Sequence, residues 1–402
     1  MERVVVVGAG QGGQQACASL RQDGFEGEIT LIGDEPGLPY QRPPLSKAYM
    51  KEGDASRLAL KPAAFYQTAA IDYRPGTRAV AIDRAAGRLE TADGASLAYD
   101  HLILATGARN ALPPIAGLAD AGVVGLRTLV DAAGLRQRLA AAGSAVVIGG
   151  GFIGLEFAAV ARAAGLAVTV VEAADRLMAR VVSPEISAHF LDLHTSMGTR
   201  VILGAPAGAV EPGTVVLAGG ERVAGDFVVL ATGVRPNAEL AAAAGLAVAD
   251  GVVVDERLLT GDPAISALGD CAAFPIGDGR RVRLESVQAA VDHARHIARR
   301  LTAGDVAAYA AVPWFWSDQG DRKLQIAGLA TDADRRIAVP SESGKTVVLN
   351  LAGDRLVAVE TVNAPAPHMA TRRLLAGPPV TLAELEAAGF DLPRLAKERA
   401  AA

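Results

Sequence analysis

The chain has 402 residues, of which half are hydrophobic, 44 are glycine and only 4% are aromatic. This length predicts two or three domains rather than one core, and the composition is typical of layered α/β proteins. The net charge of −5 excludes a generally basic nucleic-acid binder.

Cys17 and Cys271 are the only cysteines, and no C-x-x-C pair occurs. The sequence therefore predicts no metal site and no local dithiol. The N-terminal residues MER lead straight into a glycine motif, without an apolar signal segment. The most apolar stretch, 145–171, contains Glu156 and Arg162, so it is not a membrane span. We expect a cytoplasmic protein that binds neither nucleic acid nor membrane.

The first predicted element is a buried strand, VVVV, followed by a G-x-G-x-x-G motif and a helix. In dinucleotide-binding folds these glycines form a tight turn, admit a pyrophosphate and let helix and strand pack closely. The helix N-terminus offers free N–H groups to the pyrophosphate. A second strand ends in Asp34 and Glu35, and Asp34 lies 21 residues after Gly13, where an acid meets a ribose hydroxyl. The motif glycines are Gly8, Gly10 and Gly13.

The segment PGLPYQRPPLSKAYM follows, and its four prolines exclude regular structure in its first part. We predict a helix that begins near Ser46 as its N-cap, with Lys47 in the first turn. The helix dipole disfavours a cation there, so this lysine either has an acidic partner, contacts a flavin or is simply solvated. Residues 57–100 alternate short apolar runs with turns and predict a small antiparallel insertion. A buried strand, LILATG, ends at Gly107.

After a predicted helix over 126–143, the opening pattern returns. A strand leads into a second G-x-G-x-x-G motif, and the next strand ends at Glu172, 18 residues beyond Gly154. The strand VVLATG then repeats LILATG and ends at Gly233. The second motif consists of Gly149, Gly151 and Gly154. This repetition predicts a duplicated dinucleotide-binding architecture.

The acid after the second strand selects the ligand of that unit. A carboxylate at Glu172 accepts hydrogen bonds from a ribose 2′-hydroxyl and repels a 2′-phosphate, so NADH is favoured. Arg176 and Arg180 follow closely and leave use of NADPH open.

The last third of the chain holds three further signals. A strand runs into Gly269-Asp270, and this aspartate suits a hydrogen bond to a sugar-alcohol chain or merely forms a turn. An amphipathic helix is predicted over 286–301. Beyond it, the segment PWFWSDQ and the strands of 323–361 predict a small cap domain, which ends in a helix near 368–375 and a polar tail.

The sequence resembles the FAD-dependent, NADH-linked ferredoxin reductases of oxygenase systems, the putidaredoxin reductase type. The segments that carry the resemblance are GAGQGG, LPYQRPPLSKAY, LILATGAR, LRTL, VVIGGGFIGLE, ATGVRPN, ALGDCA, RLESVQAA and PWFWSDQ. The resemblance implies a glutathione-reductase-like α/β fold with two Rossmann-like dinucleotide-binding domains and a C-terminal α+β domain. The expected bounds are 1–108 with 236–316 for FAD, 109–235 for NAD and 317–402 for the C-terminal domain.

The resemblance also implies roles for matched positions. Lys47 and Glu156 resemble a pair beside the isoalloxazine, and Glu156 is a candidate to hold the nicotinamide carboxamide. Trp316 resembles a tryptophan near the flavin and the acceptor, although it is equally interpreted as a packing aromatic. Together with Gly8, Gly10, Gly13 and Glu35, the expected FAD contacts are Gly12, Asp34, Lys47, Ala79, Arg127, Asp270 and Val287. Together with Gly149 and Gly154, the expected NADH contacts are Gly151, Ile153, Glu172, Arg180 and Gly233.

The cysteine positions decide the expected electron path. Reductases of disulfides need a redox-active dithiol near the flavin, whereas Cys17 reads as a small buried hydrophobe and Cys271 has no partner in sequence. We therefore predict hydride transfer from NADH to FAD, then single-electron transfer to a [2Fe–2S] ferredoxin that supplies a haem or Rieske oxygenase. Five cations flank PWFWSDQ in sequence and would form a docking face for the ferredoxin or merely a solvated helix end: Arg295, Arg299, Arg300, Arg322 and Lys323.

Other interpretations of the acceptor and of the function stay open from the sequence. The acceptor is alternatively a rubredoxin, a quinone or oxygen, or the chain is an NADH-responsive signalling flavoprotein. The sequence does not decide between a monomer and a homodimer.

Overall fold

The computed structural model describes residues 1–277, 279–304, 307–340 and 344–401. The chain divides into two compact units. The first unit comprises Met1–Arg42, Ala55–Arg109 and Val234–Ala311, and the second comprises Pro43–Asp54, Asn110–Gly233 and Val312–Ala402. The second unit thus combines most of the segments predicted for the NAD and C-terminal domains with Pro43–Asp54. The predicted division into three domains stays a prediction.

Some helices begin at residues whose side chains accept hydrogen bonds from free backbone N–H groups. Thr128 forms a capping box with Asp131, while Ser183 and Ser286 each accept a backbone N–H three residues on. The α-helices are α1 (Gln11–Gln22), α2 (Ala48–Glu52), α3 (Ala63–Thr68), α4 (Leu129–Ala141), α5 (Phe152–Ala163), α6 (Pro184–Ser196), α7 (Glu239–Ala243), α8 (Val287–Ala303), α9 (Pro365–Leu375), α10 (Leu382–Ala387) and α11 (Leu392–Ala401). Short 3₁₀ helices span Pro43–Ser46, Ala55–Leu58 and Gly269–Cys271.

The strands follow the β-branched runs of the sequence. They are β1 (Arg3–Val7), β2 (Glu28–Gly33), β3 (Ile71–Pro75), β4 (Ala79–Asp83), β5 (Arg88–Thr91), β6 (Ser96–Ala98), β7 (His101–Leu104), β8 (Ala108–Asn110), β9 (Val124–Gly125), β10 (Ser144–Ile148), β11 (Ala167–Val171), β12 (Arg200–Ile202), β13 (Ala207–Glu211), β14 (Thr214–Leu217), β15 (Arg222–Ala224), β16 (Phe227–Leu230), β17 (Val234–Pro236), β18 (Val248–Ala249), β19 (Gly251–Val253), β20 (Ile265–Ala267), β21 (Ala272–Pro275), β22 (Arg281–Val282), β23 (Trp314–Gln319), β24 (Arg322–Gly328), β25 (Arg335–Val339), β26 (Thr346–Ala352) and β27 (Arg355–Val362).

The first unit is built on a parallel sheet with the order β20-β7-β1-β2-β3. Its central strand β1 is a run of valines of which Val4–Val6 are at most 2% exposed, as expected for a strand covered on both faces. The prediction of an antiparallel insertion over 57–100 is only partly right. Strands β4–β6 form an antiparallel sheet, but α3 and β3 precede it, and β3 extends the parallel sheet.

The second unit repeats this design with a parallel sheet in the order β12-β11-β10-β16-β9. In both sheets the glycine-motif strand is central, with the acid-bearing strand on one side and the ATG strand on the other. The antiparallel sheet β13-β14-β15 matches β4-β5-β6 of the first unit. The duplicated dinucleotide-binding architecture predicted from the sequence is therefore confirmed.

The rest of the second unit is the C-terminal sheet β23-β24-β27-β26-β25, which is antiparallel throughout. Helices α9 to α11 supply buried apolar residues to its core, among them Leu374, Leu385, Leu392 and Leu395. The prediction of a polar tail was wrong, because these leucines recur at helical spacing among charged residues and mark an amphipathic pair of helices.

Candidate functional site

The turn between β1 and α1 has the geometry of a pyrophosphate cradle. Gly8 has φ +111°, and a Cβ there would overlap the carbonyl oxygen of Ala105 in the ATG loop. A Cβ on Gly13 would overlap the carbonyl oxygen of Gly8, so helix and strand approach as the motif predicts. Helix α1 begins after Gly10, and no side chain of the described residues caps its first turn. Its N–H groups are therefore available to an anion.

The turn between β10 and α5 reproduces this cradle in the second unit. Gly149 has φ +110° and abuts Ala231 of the second ATG loop, and Gly154 abuts Gly149. Helix α5 follows Gly151 and again has no side-chain cap from the described residues. Gly12 and Ile153 lie in the first turns of the two helices, as predicted.

The middle glycine of each motif tests whether a dinucleotide fits. A Cβ added at Gly10 meets nothing within 4 Å, and one added at Gly151 has only the Ala231 oxygen at 4.0 Å. Both middle glycines therefore face open space beside an uncapped helix N-terminus. This is the space that a pyrophosphate occupies in such folds, and the residues present fit the group in both units.

The acids after β2 occupy different environments. Asp34 is exposed beside the first cradle. Glu35 is half-buried, where it accepts a hydrogen bond from the Tyr40 hydroxyl at 2.6 Å and forms an ion pair with Arg42 at 2.6 Å. Glu35 therefore braces the proline-rich segment, whereas the carboxylate of Asp34 has no hydrogen-bond or ion-pair partner among the described residues.

The acid after β11 is held by the backbone of its own cradle. Glu172 accepts the N–H of Gly150 at 2.6 Å and the N–H of Ala174 at 2.8 Å. Arg176 is tied to three acceptors of its own loop, the carbonyl oxygens of Val182 and Ala179 and the Ser187 hydroxyl. Arg176 is thus engaged within the fold.

Arg180 lies against the second ATG loop. Its guanidinium is exposed, and a Cβ at Gly233 would approach Nη2 to 3.0 Å. The two predicted NADH contacts Arg180 and Gly233 are therefore neighbours in the second unit.

Several predicted FAD contacts lie in the first unit. Ala79 is on β4, Asp270 is in the short 3₁₀ helix after β20, and Val287 is the first residue of α8. The Asp270 turn is fixed by His293, whose Nδ1 accepts the N–H of Gly269 at 3.2 Å. Arg127 lies in the second unit just before α4, where its N–H is bound by the Asp131 carboxylate.

Lys47 and Glu156 form an ion pair within the second unit. Nζ of Lys47 lies 2.8 Å from Oε1 of Glu156, whose side chain is only 6% exposed. The predicted N-cap was wrong, since α2 begins at Ala48 and Lys47 occupies the cap position. The Ser46 hydroxyl instead donates to Oε2 of Glu156 at 2.5 Å. The carboxylate explains why a cation is tolerated at this helix end.

Ser317 is a further partner of Glu156 that the sequence reasoning missed. Its hydroxyl donates to Oε1 of Glu156 at 2.7 Å, and β23 packs against α5 through the rings of Phe315 and Phe152, 4.6 Å apart. Alternation along β23 was the available signal, because it places Phe315, Ser317 and Gln319 on one face.

Trp316 lies on the opposite face of β23. It is half-buried, and its ring centroid is 5.6 Å from that of Trp314, which contacts His368 and the Arg372 guanidinium of α9. Trp316 thus packs against a neighbouring aromatic. Its predicted role near a flavin stays a prediction.

Both cysteines are fully buried. Cys17 lies on α1 within the core of the first unit, and burial raises the pKa of its thiol to about 12. The thiol of Cys271 contacts the carbonyl oxygens of Leu268 and Leu104, and burial raises its pKa as well. Neither has the exposed, electropositive setting of a reactive cysteine.

These features define a class, namely an oxidoreductase with two dinucleotide cradles on repeated parallel sheets. The family described as pyridine nucleotide-disulphide oxidoreductase matches residues 2–294, and that described as reductase C-terminal matches residues 314–396. The chain belongs to the pyridine nucleotide-disulphide oxidoreductase family.

Its relatives confirm the resemblance seen in the sequence. The chain is 49% identical to rhodocoxin reductase from Rhodococcus erythropolis over 97% of this chain and 93% of that protein. It resembles the ferredoxin reductase for the CYP199A2 system from Rhodopseudomonas palustris, with TM-score 0.94, 46% identity, and coverage of 98% of this chain and 100% of that one. The covalent putidaredoxin reductase–putidaredoxin complex gives TM-score 0.93, 38% identity and 98% coverage of both chains.

Every helix in the described part of the chain is too short or too polar to traverse a bilayer.

Proposed function

We propose that this chain is an FAD-dependent NADH:ferredoxin oxidoreductase that supplies electrons to an oxygenase. The observation that carries the proposal is the pair of equivalent pyrophosphate cradles in a chain whose two cysteines are both 0% exposed. A dithiol reductase needs an accessible thiol, and neither cysteine is one. The names of the relatives support a ferredoxin as the acceptor.

The first cradle is assigned to FAD. Its residues would hold the pyrophosphate at the N-terminus of α1, with Asp34 on the ribose and Asp270 on the sugar-alcohol chain. When bound, FAD accepts a hydride and releases electrons singly, which is the chemistry that joins NADH to an iron–sulfur carrier. The proposed FAD set is Gly8, Gly10, Gly12, Gly13, Asp34, Glu35, Lys47, Ala79, Arg127, Asp270 and Val287.

The second cradle is assigned to NADH. The pinned Glu172 carboxylate favours a 2′-hydroxyl over a 2′-phosphate, and Arg176 is engaged in its own loop. The proposed roles of Glu156 are to hold the nicotinamide carboxamide and, with Lys47, to set the geometry of hydride transfer. The proposed NADH set is Gly149, Gly151, Ile153, Gly154, Glu172, Arg180 and Gly233.

The proposed electron acceptor is a [2Fe–2S] ferredoxin. One member of the predicted docking face does not belong to it, because Arg300 is half-buried and donates to the Ser266 hydroxyl at 2.6 Å. Burial lowers its pKa to about 10. Arg295 and Arg299 on α8 are exposed and remain candidates.

An anaerobic rapid-mixing experiment tests the function. We expect NADH to bleach the flavin quickly, and cytochrome c to be reduced quickly only when a ferredoxin from the same organism is added. Slow bleaching with a long-lived charge-transfer band would favour the signalling interpretation. Fast reduction of a quinone or oxygen without ferredoxin would favour another acceptor.

A further inference from the structure

A series of hydrogen-bonded, buried polar side chains extends from Glu156 through the second unit. Ser317 donates to Oε1 of Glu156 at 2.7 Å, Nε2 of Gln319 lies 3.2 Å from the Ser317 hydroxyl, and Oε1 of Gln319 lies 2.9 Å from Nε2 of His194. Ser317, Gln319 and His194 are each 0% exposed. The three residues come from β23 and α6, which the sequence separates by more than a hundred positions.

The hydrogen bonds of this series have only one consistent direction. The Glu156 carboxylate accepts only, so the single hydroxyl proton of Ser317 points to it. The Ser317 oxygen must then accept from Gln319, which fixes the amide with its NH₂ toward Ser317. The amide oxygen consequently faces His194, so Nε2 of His194 carries a proton. Each link therefore fixes the orientation of the next.

His194 is the last residue of this hydrogen-bonded series, and its tautomer is defined. Its Nδ1 is buried and has no hydrogen-bond partner among the described residues. Burial lowers the pKa of His194, which keeps the ring neutral. A neutral ring with Nε2–H is the tautomer that the chain of hydrogen bonds requires.

We propose that Ser317, Gln319 and His194 are positioning residues that hold the Glu156 carboxylate in its orientation toward Lys47 and the nicotinamide. The inference deepens the proposed function and rests on it. Without the Ser317 hydroxyl, Glu156 keeps Lys47 and Ser46 as donors, but Oε1 loses one of its two fixed partners and the carboxylate gains freedom to rotate. NADH then still binds through its pyrophosphate and ribose, and the nicotinamide is less well aligned.

The kinetic test compares two buried hydroxyls of the same sheet. Ser317→Ala removes the donor to Glu156. The control Thr361→Val removes a hydroxyl on β27 that is also 0% exposed and donates only to the Gln325 carbonyl oxygen. For Ser317→Ala we expect the limiting rate of flavin reduction by NADH to fall about tenfold, while the Kd of NADH changes less than about threefold. Thr361→Val should leave both within about twofold.

A second variant and a rescue keep the proposal falsifiable if Ser317→Ala folds poorly. Gln319→Met preserves the size of the side chain but cannot donate to Ser317, so a smaller fall in the same rate is expected. Ser317→Thr keeps a hydroxyl at this position of the strand, so its limiting rate of flavin reduction should be close to that of the wild-type protein. Unchanged rates in Ser317→Ala and Gln319→Met, or equal losses in Thr361→Val, would overturn the proposal.

A spectroscopic readout does not depend on turnover. The chain has six histidines, so ¹⁵N-labelled imidazole signals can be assigned with a His194→Gln variant. The wild-type protein should show His194 as the neutral Nε2–H tautomer, and Gln319→Met should lose that preference. A wild-type Nδ1–H tautomer or a charged ring would contradict the proposal. If the wild-type protein failed to oxidise NADH, the proposed function would be wrong. The tautomer test would still show whether the hydrogen bonds from Glu156 to His194 are formed as proposed.

Discussion

The two glycine cradles have the same backbone conformation but differ in the environment of the acid that follows each of them. In both, a positive-φ glycine closes against an ATG loop and an uncapped helix opens on empty space. In the second unit, Glu172 is clamped by two backbone N–H groups. In the first unit, Asp34 is exposed and the neighbouring Glu35 is bound by Tyr40 and Arg42.

This difference distinguishes the binding of a pyrophosphate, which is common to both cradles, from the selection of a particular nucleotide. Under the proposed function, the shared backbone conformation recognises the pyrophosphate that FAD and NADH have in common. In the proposed assignment the acids recognise the adenosine end, and a clamped carboxylate would discriminate a hydroxyl from a phosphate better than an exposed one because it cannot rotate away. This contrast supports the proposal that the first cradle holds a resident cofactor and the second a substrate that must be selected and released.

The largest expected effect comes from placing a side chain in one cradle at a time, which tests whether the two cradles bind different cofactors. Gly10 and Gly151 have φ of −80° and −85°, and an added Cβ at either lies in open space, so valine is compatible with the fold. Gly10→Val should leave the folded protein with less than about a tenth of its FAD. Gly151→Val should keep its FAD while the KM for NADH rises about a hundredfold, since several charge-assisted hydrogen bonds are lost.

Absorbance of the purified variants and steady-state kinetics with ferricyanide check these outcomes. Circular dichroism confirms folding. Loss of FAD from Gly151→Val, or normal FAD content in Gly10→Val, would reverse the assignment of the two cradles.

The ion pairs of the two units should differ in stability. Lys47→Met leaves the nearly buried Glu156 unpaired and should lower the free energy of unfolding by about 3 kcal/mol. Arg42→Met breaks a pair whose side chains are 32% and 29% exposed and should cost about 1 kcal/mol or less. Urea unfolding with saturating FAD measures both.

A double variant controls for the role of charge. Combining Lys47→Met with Glu156→Gln removes both charges and should recover most of the lost stability. If the double variant is no more stable than Lys47→Met, the pair is not the cause.

The clamped acid is expected to govern coenzyme choice with a smaller effect. Glu172→Ala should lower the ratio of kcat/KM for NADH to that for NADPH about tenfold, because it removes both a ribose acceptor and a repulsive charge. Strong NADPH use is not expected, since Arg176 stays tied to its loop. Asp34→Ala, the matched change in the first unit, should leave this ratio unaltered. An unchanged ratio in Glu172→Ala would show that selectivity lies elsewhere.

The smallest effect is expected at the cysteines. A thiol of pKa about 12 is ionised in about one molecule in 10⁵ at pH 7, and Cys17 is fully buried. A thiol-specific alkylating agent should leave turnover within about 20% of the control and label both cysteines only in denaturant. Inactivation that follows the labelling of either native cysteine would contradict a path without thiols.

The sequence predicted what depends on local patterns. The valine run, the glycine spacing and the repeated ATG strands give both parallel sheets. For Lys47, an acidic partner was one of three open interpretations, and the family resemblance pointed to Glu156, which the structure pairs with it. The partners Ser46 and Ser317 were not predicted, because they reach Glu156 from 110 and 161 residues away. Single serines carry no signal of such pairing.

Two errors have a common physical origin. The tail after the helix near 368–375 was interpreted as polar, and Ser46 was interpreted as a helix cap, since both sequences fit a solvated surface. In the fold, Leu385 and Leu392 reach the C-terminal core, and the Ser46 hydroxyl serves a buried carboxylate. Tertiary contacts overrode the local preference at these positions.

An anaerobic titration of the oxidised protein with NADH tests the central claim most directly. FAD takes up two electrons, so a protein with one FAD and no redox-active thiol should be fully reduced by one equivalent of NADH per flavin. Uptake of two equivalents per flavin would reveal a disulfide that shares the electrons and would contradict the account.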